Sequence, residues 1–190
     1  MRICVYCSSS DGLDSKYYEE GRAFGRELAK RGHSLVYGGY CKGIMAAVAE
    51  GVHENGGEIT AVVPKVFDRE GFTYEGCTRV IKTPDMNSRK KTMEAEADAI
   101  AVLPGGIGTM DEFFEALVLK TIGEFDKPVG VLNTAGCYDI LVQLLDRSTE
   151  DGFLSTSNRE CARFFTDADV MLDHLEKESG LYDYPFIPLW

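Results

Sequence analysis

Positive charge is scarce in this chain: 20 lysines and arginines face 31 aspartates and glutamates across 190 residues, for a formal net charge of −11. A polymer such as DNA or RNA would meet net repulsion rather than counterion release, so no nucleic-acid partner is expected. A small nucleotide gripped by local amides and a few cations stays compatible. Long apolar runs are lacking too. No stretch reaches membrane-spanning length or reads as a signal h-region with a cleavage site, so the expectation is a cytoplasmic protein with no membrane partner. Metal-ligand spacing is also missing. His33, His53 and His174 have no ligating neighbours in sequence, and of the six cysteines only Cys4 and Cys7 form a C-x-x-C pair. Residues three apart in a strand point to opposite faces, so that pair reads as buried free thiols and no metal is expected. Linkers and low-complexity segments are absent, and 44% hydrophobic content fits a single domain spanning residues 1–190.

What is present is an alternation of strand and helix patterns. Arg2–Ser8, Ser34–Gly38, Ile59–Val63, Thr78–Lys82, Asp98–Leu103, Pro128–Leu132 and Ala162–Phe165 read as strands. Asp14–Arg31, Gly43–Asn55, Asp85–Ala97, Tyr138–Asp151 and Asp167–Glu178 read as helices, with Tyr17, Tyr18, Phe24 and Leu28 on the buried side of the first. A further helix following Gly108 carries Met110, Phe113, Phe114, Leu117 and Val118 as an i, i+3, i+4, i+7, i+8 stripe, expected to be buried. Repeated βα units with short turns predict an α/β fold, a single doubly wound Rossmann-like domain with a mainly parallel central sheet. Ligands in such folds bind at the carboxyl ends of the strands.

Two glycine turns lie at such ends. In Leu103-Pro104-Gly105-Gly106-Ile107-Gly108-Thr109-Met110-Asp111-Glu112 an apolar strand runs through a glycine turn into a helix. Glycines there let backbone approach a phosphate and adopt positive φ, while helix-start amides and the helix dipole face the anion. Glu112, three residues after Thr109, matches a capping box, and a carboxylate one turn from a phosphate could equally face the sugar. The spacing is not that of the dinucleotide fingerprint, and the P-loop lysine is missing, so ATP hydrolysis and NAD chemistry lose support. The second turn, Tyr37-Gly38-Gly39-Tyr40-Cys41-Lys42-Gly43, precedes an apolar helix, and the pair of turns suggests one mononucleotide pocket. Upstream, Asp85-Met86-Asn87-Ser88-Arg89-Lys90-Lys91 puts three cations at a helix start, which is unfavourable unless an anion or carboxylate answers them.

Together, D-M-x-x-R-K and P-G-G-x-G-T-x-x-E resemble the LONELY GUY (LOG) family, the cytokinin riboside 5'-monophosphate phosphoribohydrolases formerly labelled lysine decarboxylases. The resemblance spans nearly the whole chain. Cys4-Val5-Tyr6-Cys7-Ser8-Ser9-Ser10 is similar to the family's C-V-F-C-G-S-S, Val36-Tyr37-Gly38-Gly39 to its V-Y-G-G-G, Asp126–Asn133 to its D-K-P-V-G-L-L-N, and Glu150–Leu154 to its E-E-G-F-[IL]. It implies Arg89 and Glu112 as the catalytic pair and Gly105, Gly106, Gly108 and Thr109 as holders of the 5'-phosphate, with Lys90 beside the site and Glu70 in the substrate pocket. Ile107, Asp111, Ser9, Gly38 and Gly39 complete the expected substrate-binding set. The resemblance further implies a homodimer or an assembly of dimers. No cofactor is expected. Departures are Tyr40 at the third glycine of the second turn, Ser8 for Gly, Ala46 in place of the Gly of L-M-G, and Val118-Leu119-Lys120-Thr121 where the family reads T-W-x-Q. These leave the phosphate loop and the Arg/Glu pair intact and fall where the base would be recognised.

The expected chemistry is hydrolysis of the N-glycosidic bond of AMP or an N6-substituted AMP, giving free base and ribose 5-phosphate. Glu112 would meet the positive charge developing on the ribose, as stabiliser, general base or nucleophile, and Arg89 would orient Glu112 or grip the nucleotide. Asp111 and Asp85 are the local candidates for an acid. The alternative is a non-catalytic carrier of a nucleotide or nucleotide cofactor on the same fold, for which a carboxylate facing the ribose would be superfluous. Amino-acid decarboxylation would require a Schiff-base lysine with pyridoxal phosphate, and no motif marks one.

Overall fold

The computed structural model describes residues 1–180, which build one seven-stranded sheet with helices on both faces. In chain order the elements are β1 Arg2–Tyr6, α1 Ser15–Lys30, β2 Ser34–Tyr37, α2 Gly43–Glu54, β3 Ile59–Pro64, β4 Arg79–Thr83, α3 Met86–Glu96, β5 Ala99–Val102, α4 Ile107–Thr121, β6 Val129–Leu132, α5 Asp139–Glu150, α6 Thr156–Glu160, β7 Arg163–Phe165 and α7 Ala168–Glu178. The spatial order is β4-β3-β2-β1-β5-β6-β7 and every pairing is parallel. The doubly wound expectation holds, with strand ends within about two residues of those read from sequence; the short α6 and two 3-10 turns, Lys65–Phe67 and Thr134–Gly136, were unforeseen. Among the described residues no helix is long and apolar enough to cross a membrane.

Parallel strands covered on both faces must be apolar throughout, which is why β1, β2, β5 and β6 read as continuous hydrophobic runs and are almost entirely buried. Strand alternation divides β1 between two cores. Ile3, Val5 and Cys7 join Phe24 and Leu28 of α1, Val48 of α2 and Leu172 of α7, whereas Cys4 and Tyr6 join Met93 of α3 and Phe113 and Leu117 of α4. Cys4 and Cys7 are thus buried in opposite layers, and among the described residues no three His, Cys, Asp or Glu side chains gather to hold a metal ion. Fully burying each large apolar side chain contributes about 1.5–3 kcal/mol. Helices α1 and α2 touch backbone to backbone: a Cβ on Gly25 would lie 2.1 Å from the Val48 carbonyl oxygen, and one on Gly51 2.2 Å from that of Arg22.

Three packing expectations need correction. The buried stripe of α4 is Thr109, Glu112, Phe113, Ala116 and Leu117, with the same spacing as predicted but beginning one residue earlier. Phe114 and Val118 are therefore exposed, the latter at 55%, and Met110 is only half-buried. Hydrophobic periodicity missed the true face because two of its five positions carry polar side chains. On α1, Phe24 and Leu28 are buried but Tyr17 and Tyr18 are only partly so. Loop glycines 105, 106 and 108 do not adopt positive φ; that conformation belongs to Gly39 and Gly43 of the second turn.

Candidate active site

The strand order reverses between β1 and β5, and there the loops leaving the two strands diverge to opposite sides of the sheet, opening a crevice at their carboxyl ends. The loops are tied at its base by the Ser8 amide donating to the Pro104 carbonyl at 3.0 Å and the Leu103 amide to that of Tyr6 at 2.9 Å. Above them is a cavity of about 470 Å³. Its walls come from the β1 loop (Ser8, Ser9, Ser10), the β2 turn (Gly38, Tyr40), α3 (Met86, Arg89) and the start of α4 (Gly106 to Thr109, Asp111, Glu112).

Arg89 and Glu112 converge there from separate helices. The Asp85 carboxylate starts α3 by accepting the Ser88 amide at 2.7 Å. One turn on, the Arg89 guanidinium donates from Nε to the Val62 carbonyl at 3.3 Å and from Nη1 to Glu112 Oε1 at 2.5 Å. Both residues are only 5% exposed. Desolvating two charges costs several kcal/mol each, so a buried pair is a poor stabilising device, and its place in a cavity wall points to a chemical use. Burial pushes the Glu112 carboxyl above its ordinary value, against the pull of Arg89. The next cation is answered as well. Lys90 pairs with Asp111 at 2.9 Å and with Glu115; burial lowers its pKa but these partners outweigh it, so the net shift is upward. Lys91 is exposed.

Helix α4 begins at Ile107 with Gly106 as its cap, and among the described residues no side chain accepts its first-turn amides. Free N–H groups at the positive end of a helix dipole are an arrangement that can hold an anion. The capping box does not form, since Thr109 is already inside the helix and Glu112 faces Arg89. Gly105 lies under the loop rather than on the wall; a Cβ there would meet Thr109 Oγ1 at 2.0 Å, while Cβ atoms on Gly106 and Gly108 would meet open space. Ile107 lines the mouth with its side chain 91% exposed.

Other expected residues lie apart. Gly39, at φ +83°, packs against Ala61 and Val63. Glu70 is exposed and off the wall, because the β3–β4 connection turns Phe67, Arg69 and Phe72 inward and Glu70 outward. Asp85 is engaged in its cap, and the Ser88 amide holds its carboxyl below the usual carboxylate range, which suits it poorly to act as an acid. Sequence reasoning missed the cavity's apolar side, formed by Met45, Phe67, Phe72 and Met86 with Tyr40. The available signal was the cluster of aromatics between residues 67 and 74.

A family model described as "Possible lysine decarboxylase" matches residues 45–175. The chain is 37% identical over 182 residues to the cytokinin riboside 5'-monophosphate phosphoribohydrolase LOG4 of Arabidopsis thaliana, covering 96% of this chain and 85% of the relative. Against LOG3 of the same plant the identity is 38% with the same coverages. The chain belongs to the LOG family. Solved structures agree on the fold. The molybdenum cofactor binding protein from the phototrophic bacterium Rippkaea orientalis superposes with a TM-score of 0.71 at 16% identity, covering 93% of this chain and 95% of that one. The molybdenum cofactor carrier protein of Chlamydomonas reinhardtii gives 0.68 at 17%, covering 93% and 96%. At such identities the likeness concerns architecture alone.

Proposed function

We propose that this protein hydrolyses the N-glycosidic bond of a nucleoside 5'-monophosphate, AMP or an N6-substituted AMP such as a cytokinin riboside 5'-monophosphate, to free base and ribose 5-phosphate. The observation that carries the reading is the buried Arg89–Glu112 pair in the wall of a cavity that also holds the uncapped start of α4. The 5'-phosphate sits against the amides of Gly106 to Thr109, and its binding energy positions the sugar. The C1'–N bond breaks with its electron pair leaving on the base, and positive charge develops on the ribose. Glu112 faces that charge and takes a proton from the attacking water, a role suited to a carboxyl raised by burial. Arg89 fixes the orientation of the carboxylate and favours its ionised form against the upward push of burial. Water oxygen ends on C1' and a proton on the departing base.

The reading includes a homodimer. Val118 on α4, Ile122 just after it, and Ile140 and Leu144 on α5 are exposed apolar side chains that a second copy would cover. Light scattering on the purified protein reports the mass directly.

The deciding experiment incubates the purified protein with AMP, N6-isopentenyl-AMP and the other nucleoside monophosphates while following free base and ribose 5-phosphate. Release from an adenylate is expected. Tight nucleotide binding with no release from any of them would favour the carrier function instead.

A further inference from the structure

A mononucleotide is a linear object of phosphate, sugar and base. With the phosphate on the α4 amides and the sugar beside Arg89 and Glu112, the base must fall on the remaining wall. That wall is a file of rings. Tyr40 stacks on Phe72 with centroids 4.6 Å apart and planes at 27°, and Phe72 stacks on Phe67 at 5.2 Å and 5°. All three line the cavity.

The file is built, not incidental. The turn after β2 and the β3–β4 connection pair through an antiparallel bridge between Tyr40 and Thr73. The Cys41 amide donates to the Phe72 carbonyl and the Tyr74 amide to that of Gly39, each at 3.0 Å. Two segments far apart in sequence are thereby locked so that their rings share one stack. Phe72 is 8% exposed, while Phe67 at the end of the file is 39% exposed. A ring face left wet beside a polar cleft is a surface that a planar ligand would cover.

We propose that the Tyr40–Phe72–Phe67 stack seats the nucleobase and that Tyr40, where the LOG motif has a glycine, sets a preference for a two-ring base; this rests on the nucleotide-hydrolase reading above. A purine overlaps such a wall over more area than a pyrimidine. Stacking is blind to the phosphate and the sugar, so binding of ribose 5-phosphate does not depend on it.

The test measures binding of AMP, CMP and ribose 5-phosphate to the Glu112→Gln protein, where turnover does not interfere, with and without Tyr40→Leu. From the strength of base–aromatic stacking, Tyr40→Leu weakens AMP binding about tenfold or more and CMP binding less. Ribose 5-phosphate binding stays within about twofold, on the same reasoning, and Tyr40→Phe restores AMP binding. In the active protein the KM for AMP rises while kcat changes less. Should Tyr40→Leu fail to fold, Phe67→Leu at the exposed end of the stack carries the same expectation. Unchanged AMP binding, or equal weakening of AMP and ribose 5-phosphate, overturns the proposal. Absence of base release by the unaltered protein would defeat the hydrolase reading alone, because the binding comparison still reports whether the wall holds a base.

Discussion

The guanidinium of Arg89 occupies the space that any side chain at residue 38 would fill: a Cβ built on Gly38 would lie 2.1 Å from Arg89 Nη2. The glycine after β2 is therefore a socket for the cation delivered by α3, and the first glycine of that turn is explained by the active centre rather than by backbone conformation. Gly38 is not among the glycines at positive φ.

Gly38→Ala should accordingly damage catalysis more than folding. The added methyl displaces Arg89, and a displacement near 1 Å in a reacting centre costs roughly 10²-fold in rate. Steady-state kinetics alongside thermal melts of Gly38→Ala and the unaltered protein make the comparison; an unchanged kcat would show that Arg89 needs no socket.

Removing either member of the buried pair separates charge from shape. Glu112→Gln keeps an acceptor for Arg89, so secondary structure persists while kcat drops about 10²–10⁴-fold with the loss of the base and its charge. Arg89→Ala strands a buried carboxylate and should cost about 3–5 kcal/mol of stability in urea unfolding. A Glu112→Gln enzyme turning over at the unaltered rate would remove Glu112 from the mechanism.

The acid limb of the kcat/KM profile is expected above the ordinary glutamate value of 4.5, because burial raises the Glu112 carboxyl and the ionised form is the active one. Activity falls as pH drops through that raised value and is restored as pH rises back through it. A profile that stays flat down to pH 4.5 would contradict this assignment.

Glu94, on α3 with a buried Oε1 that has no hydrogen-bond partner among the described residues, is pushed up to about 7 by burial, with Glu115 adding to the shift. Between about pH 4.5 and about 7 the folded protein then binds more protons than the unfolded chain. The stability contributed by protonated Glu94 is complete below that window and is lost as pH rises through it. Glu94→Gln should raise Tm by about 2–4 °C more at pH 8 than at pH 5, the shift expected for ~1 kcal/mol in a chain of this size. Equal shifts at the two pH values would rule out titration of Glu94.

From composition and order of residues alone came the α/β class, the parallel sheet with its apolar central strands and the opposed faces of Cys4 and Cys7, while the pairing of Arg89 with Glu112 was what the resemblance to the LOG family implied. These are legible because strand and helix periods and glycine–helix junctions are local, and the repeated βα order leaves few ways to wind the sheet. The buried face of α4 was not legible. Its stripe of Thr109, Glu112, Phe113, Ala116 and Leu117 includes a carboxylate whose burial is tolerable only because Arg89 stands 2.5 Å away, and that partner is supplied by another helix. Nor was the aromatic wall, since Tyr40 and Phe72 are brought together by hydrogen bonds between segments some thirty residues apart. Pairings of that kind are decided by where the sheet places its strand ends, a property of the folded chain that no window of sequence contains.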